Sequence, residues 1–321
     1  NEHFSCVRSL DKIFQIAEES WQENLSRLEE LRVHLDPAKS WQQIYHEYYP
    51  SEISETDTIA LYAQEIENLR SFFKQQGFDA ETLNSAVEVS ETPVYLRSVR
   101  GAASFAAAYT SNPEERSYFY ITTRLAHQPD DQVQRSLEKR FHREYRLLTA
   151  HEAIPGHHYL DSVRRRLKNP IRRQIEAPPF YAGWASYAES LIVEYGYIKS
   201  PLELLIDLKR NLWRSARCQI DVGLTTGRIS TTDAGELLKV CSFSPGEIRR
   251  QIDRFRLNPG YQVCYSLGNY EFTQLKSAYA ARLGNRRFHA YVLEGGELPF
   301  HLIDKRLALK CLENPRASDL S

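Results

Sequence analysis

Apolar residues recur every three or four positions through most of this 321-residue chain, and this spacing is the feature that most restricts its fold. Residues 3–35 show the pattern with charged residues between the apolar ones and without an internal proline or glycine. Because an α-helix has about 3.6 residues per turn, the pattern predicts a long amphipathic helix. The same spacing returns at Trp41 to Tyr49 and at Thr56 to Gln76, with Pro50 and Gly77 as breaks. The first quarter of the chain is therefore predicted to consist of packed helices.

The period of the pattern shortens to two in a middle stretch. Ala86 to Ser98 and Ser117 to Thr123 alternate and are rich in valine, tyrosine and isoleucine, which is typical of strands. They predict a small antiparallel sheet in which Pro93 interrupts the first strand or lies at its edge. Two roles stay open for this sheet, a structural hairpin and an edge that pairs with an extended peptide.

Helical spacing resumes after Gln132, so the predicted fold class is mainly α, a multi-helix domain with one small antiparallel sheet. No internal repeat or obvious linker divides the chain. We expect an N-terminal helical region over residues 1–85 to pack on the remaining part, residues 86–321. The later predicted helices are Ser136 to Ala150, Phe180 to Tyr197, Leu202 to Val222, Ser230 to Val240, Pro245 to Arg256, Tyr261 to Leu283 and Arg286 to Leu293.

The charge composition disfavours some classes of partner. Lysine and arginine total 41 against 42 for aspartate and glutamate, so no net charge attracts nucleic acid or anionic lipid. No apolar run approaches the roughly 20 residues that a membrane-spanning helix needs. Five cysteines without a C-x-x-C spacing favour free thiols and hence a cytoplasmic location. We therefore expect a peptide or small-amide substrate, no nucleic acid and no membrane, and the sequence indicates no oligomeric state.

A His-Glu pair, His151 and Glu152, stands shortly before Pro155 in the sequence LTAHEAIPGHHYLD. In an H-E-x-x-H zinc site, two histidines four residues apart lie on one helix face, and the glutamate between them is the general base. Proline occupies the position four residues after His151 and cannot bind a metal. The motif in its usual form is therefore absent.

The Pro155-Gly156 pair predicts a helix break that could restore this geometry. Proline removes an N–H donor and clashes with the carbonyl four residues back, and glycine tolerates backbone angles that other residues avoid. If the two residues loop out, His157 takes the place of the second ligand. His158 would lie about 10.5 Å from His151 along an unbroken helix. We therefore rank His157 above His158, which stays the alternative ligand.

A third ligand should be a carboxylate from another helix, because catalytic zinc usually has three protein ligands and an open position. Glu189 and Glu194 are the candidates in Phe180 to Tyr197. Glu189 borders the apolar stripe that includes Trp184 and Tyr187, where a carboxylate is costly unless it is paired or bound to a metal. Glu194 is expected to face solvent, so Glu189 is preferred.

Five segments in a fixed order resemble the bacterial "domain of unknown function 885" proteins, which are similar to zinc metallopeptidases of the gluzincin kind. The resemblance extends from about residue 86 to about residue 305, with a weaker helical match before it. The family's chains are usually longer, which predicts that an N-terminal portion is missing here. The segments are HEAIPGHH at 151–158, GWASYAES at 183–190, LWRSARCQIDVGL at 212–224, PGYQVCYSLG at 259–268 and FHAYVLEGGELPF at 288–300.

The resemblance implies a metallopeptidase-like catalytic domain over residues 86–321, with the small sheet near its active site. One zinc ion would be bound by His151, His157 and Glu189. Glu152 would be the general base for a water that the metal activates. Tyr265 matches the family's recurrent tyrosine in P-G-x-x-x-x-Y and could donate a hydrogen bond to the developing oxyanion. The implied reaction is hydrolysis of amide bonds in short or terminal peptide segments.

Arg214, Arg217 and Asp221 are spaced so that they share one face of a predicted helix. They form either an intrahelical ion-pair ladder or a site in which an arginine receives a substrate carboxylate. In the second case Asp221 would hold the arginine or orient a metal-bound histidine. Tyr261, where the family commonly has glutamine, is counted with the arginines as a substrate-binding residue.

Two departures from the family pattern weaken the prediction of an active enzyme. Ala182 stands where the family usually has the glutamate of E-G-W, and Thr225 stands at the histidine of D-x-G-L-H. The alternatives are a catalytically impaired relative that binds metal or peptides, and an amide or ester hydrolase of non-peptide metabolites. Zinc is preferred over iron because the facial-triad iron sites have no use for the adjacent Glu152.

Overall fold

The computed structural model describes residues 5–50, 53, 55–97, 99–108, 115–123 and 131–313. Helices dominate these residues, and the mainly α prediction is confirmed. The helices are α1 (Leu10–Leu35), α2 (Trp41–Glu47), α3 (Thr58–Gln75), α4 (Ala80–Leu83), α5 (Asp131–Glu152), α6 (His157–Arg165), α7 (Pro170–Gln174), α8 (Pro178–Glu194), α9 (Pro201–Thr226), α10 (Thr231–Val240), α11 (Pro245–Leu257), α12 (Val263–Leu283), α13 (Asn285–Leu293) and α14 (Phe300–Glu313). The strands are β1 (Val87–Glu91), β2 (Ala103–Ala106) and β3 (Ser117–Ile121).

Serine caps explain why several helices begin where they do. In a capping box, the serine accepts a hydrogen bond from the third helical N–H, and the side chain at that position accepts one from the serine N–H. Both bonds satisfy donors that a helix start leaves without partners. The boxes pair Ser40 with Gln43 in α2, Ser230 with Asp233 in α10 and Ser244 with Glu247 in α11.

The sheet has the strand order β1-β3-β2 and is mixed, so the antiparallel prediction is wrong in part. β1 and β3 pair in parallel, from Val87 opposite Ser117 to Glu91 opposite Ile121. β2 pairs antiparallel with β3 at the edge. Parallel neighbours need a crossover, which here contains β2. β2 was not predicted because its sequence, ASFA, has one large apolar residue and therefore no visible alternation.

One hydrophobic core includes residues from both predicted parts of the chain. Trp21 of α1 and Tyr62 of α3 belong to the same buried cluster as Phe141 of α5 and Leu212 of α9. α1 packs along α9, and α3 packs on α5 and β1. The division at residue 85 stays a prediction, and the four helices that surround the site, α5, α8, α9 and α12, share this core.

The backbones of α8 and α12 touch where two glycines face each other. A Cβ atom added to Gly183 would lie 2.4 Å from the Cα atom of Gly268, and one added to Gly268 would lie 2.1 Å from the carbonyl oxygen of Pro179. Atoms this close cannot be accommodated without moving a helix. The two glycines therefore set the distance between two helices that contribute residues to the site.

We predict that Gly183→Ala or Gly268→Ala lowers the free energy of unfolding by about 1–3 kcal/mol or more, because the added methyl group meets backbone. Urea denaturation measures the change. Gly235→Ala in α10 is the matched control, since its Cβ would meet nothing closer than 3.8 Å. It should stabilise the protein by roughly 0.5–1 kcal/mol. Equal effects of the helix-contact and control substitutions would contradict the close approach.

Glu297 anchors the start of α8 through a hydrogen bond from the Ala177 N–H to its Oε2, at 2.7 Å. Its Oε1 lies 3.6 Å from Arg164 Nη1. Burial raises the pKa of this carboxyl to about 7, although the Ala177 N–H and Arg164 lower it in part. The folded protein therefore retains a proton that the unfolded chain releases at lower pH.

We predict that the contribution of protonated Glu297 to the free energy of unfolding falls as pH rises from about 4.5 to 7. Over this range the unfolded chain has released the proton that the folded protein still holds. The loss amounts to roughly 3 kcal/mol. Glu297→Gln removes this pH dependence, because the amide oxygen can still accept the hydrogen bond from the Ala177 N–H and the side chain does not ionise. Urea denaturation at pH 5 and pH 8 should show the variant gaining stability relative to the original protein at the higher pH. A constant difference would contradict the raised pKa.

Candidate active site

The helix break that the Pro-Gly pair predicts is present. α5 ends at Glu152 and α6 begins at His157. A Cβ atom at Gly156 would lie 1.9 Å from the carbonyl oxygen of His151, so only glycine allows the chain to pass this close to α5. The indole Nε1 of Trp184 donates to the Pro155 carbonyl at 2.8 Å and fixes the loop. The break brings the rings of His151 and His157 edge to face, with centroids 5.0 Å apart.

Glu152 is held by the edge strand of the sheet. Its Oε2 accepts a hydrogen bond from the backbone N–H of Phe105 in β2, at 2.8 Å. Burial raises the pKa of Glu152, and His151 and the Phe105 N–H offset part of this effect. The carboxylate lines a cavity of about 370 Å³ together with His151 and His157.

His151 and Glu189 meet at the wall of this cavity. The Nδ1 atom of His151 lies 2.6 Å from Oε1 of Glu189, and both side chains are buried. The imidazole nitrogen and the carboxylate oxygen are therefore in direct contact.

The two neighbouring histidines after the break have different environments. His157 stacks on Tyr181 with ring centroids 4.1 Å apart, and its Nδ1 is buried without a partner. The Nε2 atom of His158 lies 3.1 Å from the Ser85 carbonyl oxygen. Burial lowers the pKa of His158 to about 4. His157 lines the cavity, and His158 is not among the lining residues.

Glu189 is bound by two arginines of α9. Arg210 donates from Nε to Oε2 at 2.8 Å and from Nη2 to Oε1 at 3.0 Å, and Arg214 also donates to Oε1. Burial opposes ionisation of Glu189, but Arg210, Arg214 and His151 outweigh it and hold its pKa well below the usual value. The carboxylate is therefore charged and fully engaged.

Arg210 also binds a second buried carboxylate, Glu144 of α5, through Nη1 at 2.8 Å. The hydroxyl of Tyr45 donates to Glu144 as well. Burial works against the charge of Glu144, and Arg140, Lys209 and Arg210 keep its pKa well below the usual value. One guanidinium therefore links α5, α8 and α9.

The predicted ligands suit zinc in kind, since two imidazoles and a carboxylate are the usual donors of a catalytic site. The Nδ1 atom of His157 is buried without a hydrogen-bond partner, which is costly unless a ligand or a water binds it, and the Nδ1 atom of His158 outside the cavity is buried in the same way. Glu189, however, already pairs with two arginines. Within the ranges that the structure describes, no three His, Cys, Asp or Glu side chains are grouped closely enough to hold a metal.

Arg214, Arg217 and Asp221 do not form the predicted ion-pair ladder. Asp221 accepts hydrogen bonds from the N–H groups of Gly260 and Gln262, both at 2.7 Å, and so fixes the start of α12. No bond from Asp221 to either arginine or to a histidine is found in the described part of the chain. Its function is therefore to position the segment before Tyr265.

The remaining predicted residues are divided between the cavity and its surroundings. Arg217 and Tyr265 line the cavity, with the guanidinium 4.0 Å from the ring centroid of Tyr265. Tyr261 packs edge-on against Tyr265, with centroids 6.1 Å apart, and is not a lining residue. The departures Ala182 and Thr225 do not line the cavity either.

Several residues of the site were missed from the sequence. Arg210 lies four residues before Arg214 and seven before Arg217, and this helical spacing could have indicated it. Glu144 likewise lies seven residues before His151. The Phe105 N–H carries no signal in the sequence, because a backbone donor does not depend on the residue type.

Fold and site together define a mainly helical protein with a His-Glu centre at a helix break, in a cavity lined by arginines. The chain belongs to the family described as "Bacterial protein of unknown function (DUF885)", which matches residues 2–307. The predicted family is thereby confirmed. No match is found among curated proteins.

Two solved structures share this fold. One is "the putative lipoprotein from Colwellia psychrerythraea", with a TM-score of 0.81 and 21% identity, covering 96% of this chain and 53% of that chain. The other is "a putative lipoprotein of unknown function from Shewanella oneidensis", with a TM-score of 0.76 and 20% identity, covering 94% of this chain and 57% of that chain. The chain thus spans about half the length of these structures.

The predicted cytoplasmic location is contradicted by this comparison. Both similar structures are described as putative lipoproteins, and a lipoprotein is generally held at a membrane outside the cytoplasm by its lipid. All five cysteines are free, but a protein that needs no disulfide can work in either environment, so the cysteine argument was weak. Among the described helices, none is both long and apolar enough to cross a membrane.

We predict that Arg210→Met destabilises the protein by about 3–5 kcal/mol, because it leaves Glu144 and Glu189 buried with fewer cationic partners. Urea denaturation at pH 7 measures the loss. Arg306→Met is the matched control, since Arg306 forms a half-exposed pair with Glu294 at 3.0 Å. Such a pair contributes about 0–1 kcal/mol. A similar small effect of both substitutions would show that the Arg210 bridge is not structural.

Proposed function

We propose that this chain is a zinc-dependent hydrolase of amide bonds, a metallopeptidase related to the gluzincins that acts on short or terminal peptide segments. The observation that carries the proposal is the grouping of His151, Glu152 and His157 around the helix break. His157 has a buried Nδ1 without a hydrogen-bond partner, and Glu152 is aimed by the Phe105 N–H. Contact of Glu189 with His151 supplies the third donor.

In this proposal His151, His157 and Glu189 hold the ion. Bound zinc would supply a Lewis acid and an activated water. Glu152 takes a proton as the water oxygen bonds to the carbonyl carbon, and the C–N bond then breaks. The proton passes to the leaving amine, so the products are a carboxylate and an amine. Tyr265, in the same cavity, can donate a hydrogen bond to the oxyanion.

A protein that binds peptides or other anions without catalysis is the second candidate. The observation that favours it is the engagement of both Glu189 oxygens by Arg210 and Arg214. Two guanidinium groups carry the positive charge that a metal would otherwise bring to this carboxylate. If Arg210 and Arg214 stay bound to Glu189, no site with three metal ligands forms, and the cavity binds its ligand without catalysis.

We predict about one zinc ion per chain in the purified protein, by elemental analysis, and its loss in His151→Ala, because one of three ligands is removed. His158→Ala is the control, since His158 does not line the cavity, and it should retain the metal. Absence of metal even after zinc is added back would favour the binding candidate.

We predict further that Glu152→Gln keeps its zinc but lowers kcat/KM by about 10²–10⁴-fold, because the general base is lost. Peptides and non-peptide amides and esters are assayed in parallel, with and without a chelator, so that a hydrolase of other metabolites is recognised. Unchanged activity in the variant would exclude Glu152 as the base.

A further inference from the structure

We propose that the cavity binds its substrate through a free C-terminal carboxylate, which Arg217 and Arg254 receive. The substrates are then short peptides with an unblocked C-terminus, cut near that end. The catalytic part of this inference rests on the proposed function, whereas the binding of the carboxylate does not. The binding of the carboxylate is therefore tested by a separate measurement.

Cationic side chains line the cavity in excess over carboxylates. Six of the lining residues are lysine or arginine, and two, Glu144 and Glu152, are acidic. Four of the cations are accounted for by ion pairs with Glu144 or Glu189. These four are Arg140, Lys209 and Arg210, beside Glu144, and Arg214, bound to Glu189.

Arg217 is the cavity-lining cation of α9 that takes no part in these ion pairs. Its Nε donates to the Oε1 of Gln262 at 2.9 Å, and its Nη2 donates to the same oxygen. Over the residues that the structure covers, no carboxylate lies within ion-pair distance of it. Burial lowers the pKa of Arg217, Tyr265 raises it, and Arg254 and Arg214 lower it further. A half-buried guanidinium with a neutral partner is costly, and an anion would relieve that cost.

The guanidinium of Arg217 is held in place before any ligand arrives. It lies over the ring of Tyr265 at 4.0 Å and near the ring of Trp213 at 5.4 Å. Gln262 fixes its edge, and the Gln262 Nε2 is itself a buried donor without a partner. A fixed planar fork suits a carboxylate, because two parallel N–H···O bonds can form without loss of side-chain freedom.

Arg254 brings a second positive charge to the same cavity from α11. Arg254 is exposed, lines the cavity and is close enough to Arg217 to lower the pKa of that guanidinium. No ion pair of Arg254 is found among the described side chains. Two neighbouring cations repel each other, so a shared anion is favoured between them.

The charges indicate that an anion is attracted to the cavity and how it is oriented there. Arg217 and Arg254 contribute two positive charges outside the ion pairs of Glu144 and Glu189, and Glu152 is the other acidic group that lines the cavity. Glu152 also repels an anionic group, so the carboxylate is directed to the arginines and the neutral amide bond is left for Glu152. This orientation is that of a hydrolase acting near the C-terminus.

The test compares N-acetylated tripeptides that end in a carboxylate with the same peptides ending in an amide. Binding is measured by calorimetry on the full chain carrying Glu152→Gln, which prevents turnover. We expect the acids to bind about 10- to 100-fold more tightly than the amides. Arg217→Met should remove this preference, and Arg217→Lys should restore part of it.

Arg254→Met is the second variant, because an exposed residue can be replaced without risk to folding. It should reduce the preference for acids at an unchanged melting temperature. Arg306→Met, outside the cavity, should leave the preference intact. Equal binding of acids and amides, or no binding of either at millimolar concentration, overturns the proposal. Inorganic phosphate that binds more tightly than the acids overturns it as well.

The outcome is separable from that of the proposed function. A preference for acids without hydrolysis by the original protein leaves the carboxylate site standing and removes the hydrolase. Hydrolysis of acids and amides with equal kcat/KM keeps the hydrolase and removes the carboxylate site.

Discussion

The bridge that Arg210 forms between Glu144 and Glu189 is the interaction on which the site depends. Three helices contribute one group each, and the bridge offsets the cost of burying these charges. Since Glu189 in turn contacts His151, the ring at the end of α5 is placed by the same pairing. The helix break after Glu152 then adds His157. The position of the candidate catalytic groups is thus a result of buried electrostatics as much as of apolar packing.

This arrangement makes Glu189 serve two purposes. As a structural anion it neutralises Arg210 and Arg214, and as a proposed ligand it would share its charge with a metal. The two uses compete, because a carboxylate has two oxygens and both already accept hydrogen bonds. Metal affinity in this chain would therefore depend on how readily Arg210 and Arg214 release the carboxylate of Glu189. The same competition distinguishes a working hydrolase from a relative that only binds.

Local patterns predicted the helices and the break, because helical period, proline and glycine act over a few residues. Glu189 was found for a similar reason, since a carboxylate beside an apolar stripe is conspicuous. The pairing of Glu144 with Arg210 was not, because 66 positions separate the two and any surface ion pair would look alike in sequence. β2 was not predicted because its four residues, ASFA, include one large apolar side chain, and a single such residue shows no alternation. The parallel pairing of β1 and β3 was not predicted either, because the crossover that connects these strands contains β2.

The contact between Gly183 and Gly268 determines which wall of the cavity can move. Where two helix backbones touch, no side chain remains that could change rotamer to let them slide. Tyr181 and Tyr265, which α8 and α12 contribute to the cavity, therefore form a rigid side. Any widening that admits a peptide must therefore come from lining residues that lie outside this pair of helices.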